Sequence, residues 1–276
     1  SGGLHFASQT RALFELGLER RWNESALTSA FHQQYLPLGE HLVAGVEELR
    51  PGQLLIATAD AVETRTYWDL DLPGNDTPSE MHDERALVEE FDRRLDEAVR
   101  LRLRGDEPVA YCLSGGVDSN AVLALGSAAA DGPADAFTLS FDDAAYDEQA
   151  LAAAGAQAQG ANLHTIQVGP HDVLEQLDLS VERAEGLAIN GQLSAKVMLS
   201  RAIRERGFKV ALTGEGSDEM LLGYAHLRRD WLGSSTSALL EGNRVSLGLM
   251  LPEAEGQVAP ELAPATAALG VGDGAV

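Results

Sequence analysis

From residue 108 onward the chain alternates short apolar runs with stretches of helical character, and nothing else in it constrains the fold as much. Residues 109–113, 137–141, 163–168 and 208–213 read as strands, and residues 119–130, 147–159 and 193–206 as helices. Strands joined through helices run parallel, because each crossover returns the chain to the edge where the previous strand began. Unbroken apolar strands belong to sheets buried on both faces. The expected fold class is α/β, a mainly parallel sheet with helices on both faces. Ligands of such sheets sit at the carboxyl ends of the strands. The loops that follow the strands are therefore where chemistry is expected.

Leu113-Ser114-Gly115-Gly116-Val117-Asp118-Ser119 follows the first of these strands and opens a helix. Two adjacent glycines let the backbone approach an anion with no side chain between. Free amides at the helix start point at that anion, and the helix dipole adds to them. Ser114 and Ser119 offer hydroxyls. Asp118 needs a cation between itself and a phosphate, and Mg²⁺ is the natural bridge. The loop lacks the Gly-Lys-Ser/Thr ending of the Walker type. Its plainer alternative is a turn with a helix cap.

Thr213-Gly214-Glu215-Gly216-Ser217-Asp218-Glu219 repeats the arrangement after the fourth strand. Asp218 offers a second hard oxygen ligand. Asp118 and Asp218, expected on one sheet edge, could hold one Mg²⁺ between them and the phosphates. The alternative is that Ser217, Asp218 and Glu219 only complement a helix start.

The 276 residues suffice for one large α/β domain and a smaller piece. Residues 1–72 read as a β-leaning, irregular segment, with a strand at 53–58 after the turn Arg50-Pro51-Gly52. Residues 73–82, with Pro73-Gly74-Asn75-Asp76, read as a linker. Leu87, Phe91, Leu95 and Val99 then recur every fourth residue and predict an amphipathic helix over 83–104. The arginines there alternate with acids, as on a solvated face. Residues 234–276 are rich in Gly, Ala, Pro and Ser and weakly periodic.

With 43 acids against 20 bases the net charge is −23, which repels a long polyanion. Nucleic acid is not an expected partner, whereas a small anion such as ATP can bind through backbone amides and a metal. No run of 18 apolar residues and no secretory signal occur, so no membrane partner is expected. The single cysteine, Cys112, allows no internal disulfide and no paired-cysteine zinc site. It reads as a small buried hydrophobe, and the expected location is cytoplasmic.

The 113–119 loop resembles the pyrophosphate loop of the N-type ATP pyrophosphatases, which cleave ATP between its α and β phosphates. Gly214-Glu215-Gly216-Ser217-Asp218-Glu219 with Leu222-Gly223-Tyr224 narrows the resemblance to the glutamine-hydrolysing asparagine synthetase family. Leu4-His5-Phe6-Ala7-Ser8 with Ala12-Leu13, Pro51-Gly52 with Tyr67-Trp68, and Phe141-Asp142 with Tyr146-Asp147-Glu148 agree with it. The resemblance covers residues 4–224 and implies an adenine nucleotide α-hydrolase-like fold. Residues 1–72 would be the C-terminal, β-rich part of an N-terminal-nucleophile glutaminase-like domain, and 83–233 the synthetase domain, with 234–276 its remainder. Leu113, Leu139, Thr213 and Gly214 would contact the adenylate. Residues Ser114, Gly115, Gly116, Val117, Asp118 and Ser119 would cradle pyrophosphate, with Asp118 and Asp218 on Mg²⁺. Glu215 matches a glutamate implicated in forming or resolving the acyl-adenylate. Related β-lactam synthetases carry a tyrosine there, so Glu215 leans towards an external amine.

The implied activity is an ATP-dependent ligase that activates aspartate or an analogue as its acyl-adenylate for attack by ammonia. The ammonia would come from glutamine through a glutaminase part that is separate or outside this sequence, and a homodimer is compatible with the family. A ligase for another acid, including a macrolactam-forming peptide cyclase, is the alternative; Gln192 and Ser194 lie where the family shapes its acceptor pocket. A non-catalytic nucleotide-binding subunit is the alternative from another class. No cysteine stands near residue 1, so no glutaminase activity is expected from this chain alone. The family's downstream lysine has no counterpart after Glu219. Only Lys196 and Lys209 are available, and four residues of strand put Lys209 roughly 13 Å from the ligand edge.

Overall fold

The computed structural model describes residues 3–33, 35–71, 83–130, 132–143, 146–185 and 191–224. The linker expected at 73–82 and the tail at 234–276 lie outside the described residues. The chain divides into two units, Ser1–Thr213 and Gly214–Val276.

In the first unit, strands β3 (Val109–Cys112), β4 (Asp135–Phe141), β5 (Asn162–Val168) and β6 (Val210–Leu212) form a four-stranded sheet in the order β5-β4-β3-β6. Every pairing is parallel, as the alternation predicts. The chain moves from β3 outward to β5 and then crosses back to lay β6 on the other side of β3. The strand order thus reverses between β3 and β6, and a crevice is expected at the carboxyl ends of these two strands.

Period-two alternation divides the core between the two faces. Tyr111 and Leu113 join Ala136, Leu123 of α4 (Val117–Ala129), and Ala152 and Ala156 of α5 (Gln149–Ala158). Ala110, Cys112 and Phe137 face the other way, against Leu199 and Ile203 of α8 (Gln192–Glu205). Cys112 is half-buried in that second cluster, close to the environment expected for it.

Helix α3 (Glu84–Arg102) starts where the periodicity places it, with Asp83 accepting a hydrogen bond from the Arg85 amide at 3.1 Å. Its apolar stripe is only partly used. Val99 is 4% exposed, but Leu87 and Phe91 are 52% and 44% exposed. Helix α3 has 19 residues against 13 in its neighbour α4, and these two exposed apolar side chains lie in its N-terminal half. The arginines and acids of the polar face pair with one another, including Arg94–Glu90 at 2.6 Å and Arg100–Asp96 at 2.7 Å. Hydrogen bonds from Arg93 and Arg94 lower the Glu90 pKa to about 2. Among the described residues no helix is long and apolar enough to cross a membrane.

The segment before α3 holds more helix than its irregular sequence suggested. Helices α1 (Thr10–Glu15) and α2 (Glu24–Gln33) precede an antiparallel hairpin of β1 (Gln53–Ala57) and β2 (Val62–Thr66). Asn23 accepts from the Ala26 amide at 3.3 Å, an N-cap signal that was present in the sequence and not used. Helices α6 (Pro170–Glu175) and α7 (Leu177–Ala184) were also unanticipated. Pro170 at the first helical turn, with Asp172 accepting from the Gly169 amide at 2.8 Å, is the cue for α6.

One carboxylate ties the N-terminal segment to the sheet unit. Glu185 follows α7 in the left-handed region (φ 54°) and accepts from the amides of Thr10 at 2.8 Å and Arg11 at 3.1 Å. His41 Nδ1 accepts from the Val43 amide at 3.0 Å, so in the neutral ring Nε2 carries the proton and donates to Thr10 Oγ1 at 2.9 Å. Burial alone would push the Glu185 carboxyl up. The hydrogen bonds from Thr10 and Arg11 outweigh it and hold the group below the usual carboxylate range. A lowered folded-state pKa stabilises above the unfolded value and is lost as pH falls through the folded one. Glu185→Gln should therefore cost about 1 kcal/mol at neutral pH, as an N-cap change does. Urea unfolding should show that deficit closing in acid; a deficit that persists unchanged would mean the charge is irrelevant.

Candidate functional site

The loop after β3 is built around two glycines with different duties. The Leu113 amide donates to the Phe137 carbonyl at 2.8 Å, which carries the β3–β4 ladder one residue past the strand. Gly115 then turns at φ +86°, and a Cβ there would lie 2.7 Å from Leu151 Cβ and 3.0 Å from the Ala152 nitrogen. Both the backbone and the packing against α5 exclude a side chain. Gly116 is different. It is extended (φ −68°, ψ 163°), and its added Cβ would meet only Ser114 Oγ, at 3.4 Å. Among the described residues nothing demands glycine at 116. Open space before the first turn of a helix suits the close approach of an anion.

Ser119 is 7% exposed, and its hydroxyl is spent inside the loop. It donates to the Gly116 carbonyl at 3.2 Å and accepts from the Ser114 amide at 3.2 Å. Ser114 Oγ lies 3.2 Å from Ser119 Oγ and accepts from the Gly116 amide at 3.4 Å. Ser119 therefore shapes the loop, while Ser114 is exposed. Val117 is 85% exposed at the helix start, and Asp118 beside it is half-buried.

Register separates the two leucines assigned to the adenylate. Cys112 pairs with Phe137, so the Leu113 side chain shares the face of Thr138, and Leu139 the opposite one. Leu113 is 2% exposed in the core. Its contribution to any ligand is confined to the main chain, whereas Leu139 is half-buried near the carboxyl end of β4.

The family element 146–148 braces this loop. Asp147 accepts from the Phe141 amide at 3.1 Å, and the Glu148 carbonyl lies 3.3 Å from the position of a Gly115 Cβ. Asn120, which the sequence reading passed over, donates through Nδ2 to the Gly116 carbonyl at 2.8 Å. Its signal was its place one residue after the loop.

β6 pairs with β3 through Tyr111 and Leu212, so Thr213 leaves the sheet beside the loop that follows β3. The second unit opens at Gly214. There Gly216 adopts φ +95°, Ser217 Oγ donates to the Gly214 carbonyl at 3.1 Å, and α9 (Ser217–Leu221) follows. Tyr224 donates to Glu219 at 3.3 Å. Burial raises the Tyr224 phenol above its usual range, and the charges of Glu219, Asp218 and Glu215 raise it further. These three carboxylates make the surroundings of the phenol negative. Glu215 itself is exposed.

The two lysines separate as expected. Lys209 Nζ pairs with Glu107, and the two residues lie just before β6 and β3, at the amino edge of the sheet. Lys196 lies in the N-terminal half of α8, exposed, after the buried Ser194 and Ala195. Ser194 is fully buried and accepts a hydrogen bond from Ser180 at 3.4 Å, so its side chain faces α7 rather than an open pocket. His164, bonded to Asp135 at 2.7 Å and packed on Phe137, lies in the amino-terminal half of β5. A cavity of about 580 Å³ in the N-terminal segment is lined by residues between Asn23 and Thr64, none of them from the strand-end loops.

Residues 90–270 match the asparagine synthase family. This chain belongs to that family. Residues 1–68 match the glutamine amidotransferase domain. Amidase chyE of Penicillium rubens is 30% identical, over 95% of this chain and 40% of its own length. A putative glutamine-hydrolysing asparagine synthetase of Mycobacterium tuberculosis is 29% identical, over 83% of this chain and 35% of its own length. The chain thus spans about 40% or less of the length of these curated relatives. Among solved structures, an NH3-dependent NAD synthetase from Campylobacter jejuni aligns with a TM-score of 0.35 and 18% identity. That alignment covers 49% of this chain and 60% of the other.

Proposed function

We propose that this chain carries the ATP-binding and carboxylate-activating part of an amide-forming ligase. The observation that carries the reading is Gly116, a glycine that no steric contact among the described residues requires, at the amide-lined start of α4 beside the strand-order reversal. The amides of this turn bind the β and γ phosphates of ATP, Leu139 borders the adenylate, and Thr213 and Gly214 would contact it. Asp118 and Asp218 would hold Mg²⁺, which when bound offsets charge on the phosphates. A substrate carboxylate oxygen attacks the α-phosphorus, the bond to the bridging oxygen breaks, and pyrophosphate leaves. Ammonia then attacks the acyl carbon and AMP departs, and Glu215 would take a proton from the incoming amine. Ammonia would reach this step from glutamine through a glutaminase part, to which the match over residues 1–68 points.

The test is acid-dependent exchange of labelled pyrophosphate into ATP, with aspartate and a panel of other carboxylic acids. Exchange with at least one acid is expected. ATP binding without exchange for any acid would favour a non-catalytic nucleotide-binding subunit, and no ATP binding would sink the reading. A substrate other than aspartate is the second reading. It is favoured by the relatives named amidases, each 30% identical, over 95% and 82% of this chain.

Lys196 is the better placed lysine for offsetting phosphate charge. The last residues of α8 lead into the amino end of β6, so the start of α8 lies towards the carboxyl edge. Lys196→Ala should lower exchange at least tenfold while leaving the ATP dissociation constant within twofold. Equal exchange in the variant and the parent would remove Lys196 from the chemistry.

A further inference from the structure

We infer that Asn120 is the positioning residue that aims the phosphate loop, and that Gly155 on α5 is glycine to make room for it. The inference rests on the reading of residues 114–119 as the ATP-binding loop. The Gly116 carbonyl is held from three directions, by Asn120 Nδ2 at 2.8 Å, the Asn120 amide at 3.2 Å and Ser119 Oγ at 3.2 Å. That carbonyl shares a planar trans peptide with the Val117 N–H, and the two groups point in opposite directions. Pinning the carbonyl towards the helix therefore turns the Val117 N–H outward, to where an anion at the helix start would sit. Val117 itself is 85% exposed, so its side chain is not packed over the loop.

The second observation comes from another element. Helix α5 reads QALAAAGAQA, and Gly155 is the one position in it that lowers helix propensity sharply, by about 1 kcal/mol relative to alanine. No positive φ calls for glycine there. An added Cβ at 155 would instead stand 1.9 Å from Asn120 Oδ1 and 2.9 Å from Asn120 Cγ. The glycine's cost is offset by the place it gives the amide. One turn earlier on the same helix, Leu151 and Ala152 lie against Gly115. Helix α5 thus sets the loop at two points, 151–152 through Gly115 and 155 through Asn120.

The experiment compares the parent chain with Asn120→Ala, Gly155→Ala and the double variant, reading the ATP–Mg²⁺ dissociation constant, exchange kinetics and urea unfolding. Asn120→Ala should weaken ATP binding about tenfold and raise the KM for ATP in exchange, with the KM for the acid unchanged. Gly155→Ala should do the same by evicting the amide. In the double variant the methyl at 155 occupies vacated space, so binding should be no weaker than in Asn120→Ala alone. Parent-like ATP affinity in Asn120→Ala would overturn the inference, as would equal rises in both KM values or additive losses in the double variant. Should Asn120→Ala fold poorly, Gly155→Ala alone decides, because parent-like affinity there is equally fatal. A parent chain that does not bind ATP would defeat the underlying reading of the loop instead.

Discussion

Asp118→Asn and Asp218→Asn should each slow acid-dependent ATP–pyrophosphate exchange by about a hundredfold to a thousandfold, the range for losing one electrostatic element of a transition state. Asp118 stands in the first turn of α4, and Asp218 in the first turn of α9 among Glu215, Glu219 and Tyr224. Each amide variant keeps the shape and removes the charge. If both carboxylates hold one ion, removing the second costs little once the first is gone, because groups that act as a unit are strongly non-additive. The double variant should then exchange about as slowly as either single one. Raised Mg²⁺ should partly restore the single variants. Full multiplication of the two losses would show separate roles, and normal exchange in either variant would remove that residue from the metal site.

The adjacent glycines should separate stability from binding. Gly115→Ala forces a side chain into the left-handed region, which costs about 1–2 kcal/mol. It also drives a methyl to 2.7 Å from Leu151 Cβ. Overpacking of that kind adds about 1–3 kcal/mol, so urea unfolding should shift by about 2–5 kcal/mol. Gly116→Ala meets neither obstacle, since its φ is −68° and the nearest atom is Ser114 Oγ at 3.4 Å. Its stability should fall by no more than about 1 kcal/mol, the scale of an N-cap change. Its ATP affinity should nevertheless drop tenfold or more, because the methyl occupies the approach to the loop amides. A Gly116→Ala chain that binds ATP normally would leave that glycine unexplained.

Much of this fold is written in local sequence. The apolar runs near 109 and 137 are the central, largely buried strands, and those near 163 and 208 are half-buried edges with the same short, β-rich character. The intervening helices required all four strands to run parallel. The glycine-bearing loops at 114–119 and 213–219 were legible for the same reason: a strand end, a glycine and a helix start lie within seven residues. Helices α1, α2, α6 and α7 had local cues in part, at Asn23 and Pro170, that compete with many similar turns.

What only tertiary structure decided involves partners far apart in the chain. Strand order placed β6 beside β3 and so put Thr213 next to the 113–119 loop. Register turned the side chains of Leu113 and Leu139 to opposite faces, a difference of one residue that no composition reveals. Ser119 reads as a phosphate ligand in sequence, but in the folded loop its hydroxyl is taken by Gly116 and Ser114. Glu185 caps a helix 175 residues away, Lys209 is held by Glu107 at a separation of 102, and Gly155 makes way for Asn120 on a neighbouring helix. Periodicity and capping act over one or two turns and are encoded where they act. Such contacts arise only when packing of the core brings distant segments together, and a hydroxyl or carboxylate then takes the partner within reach.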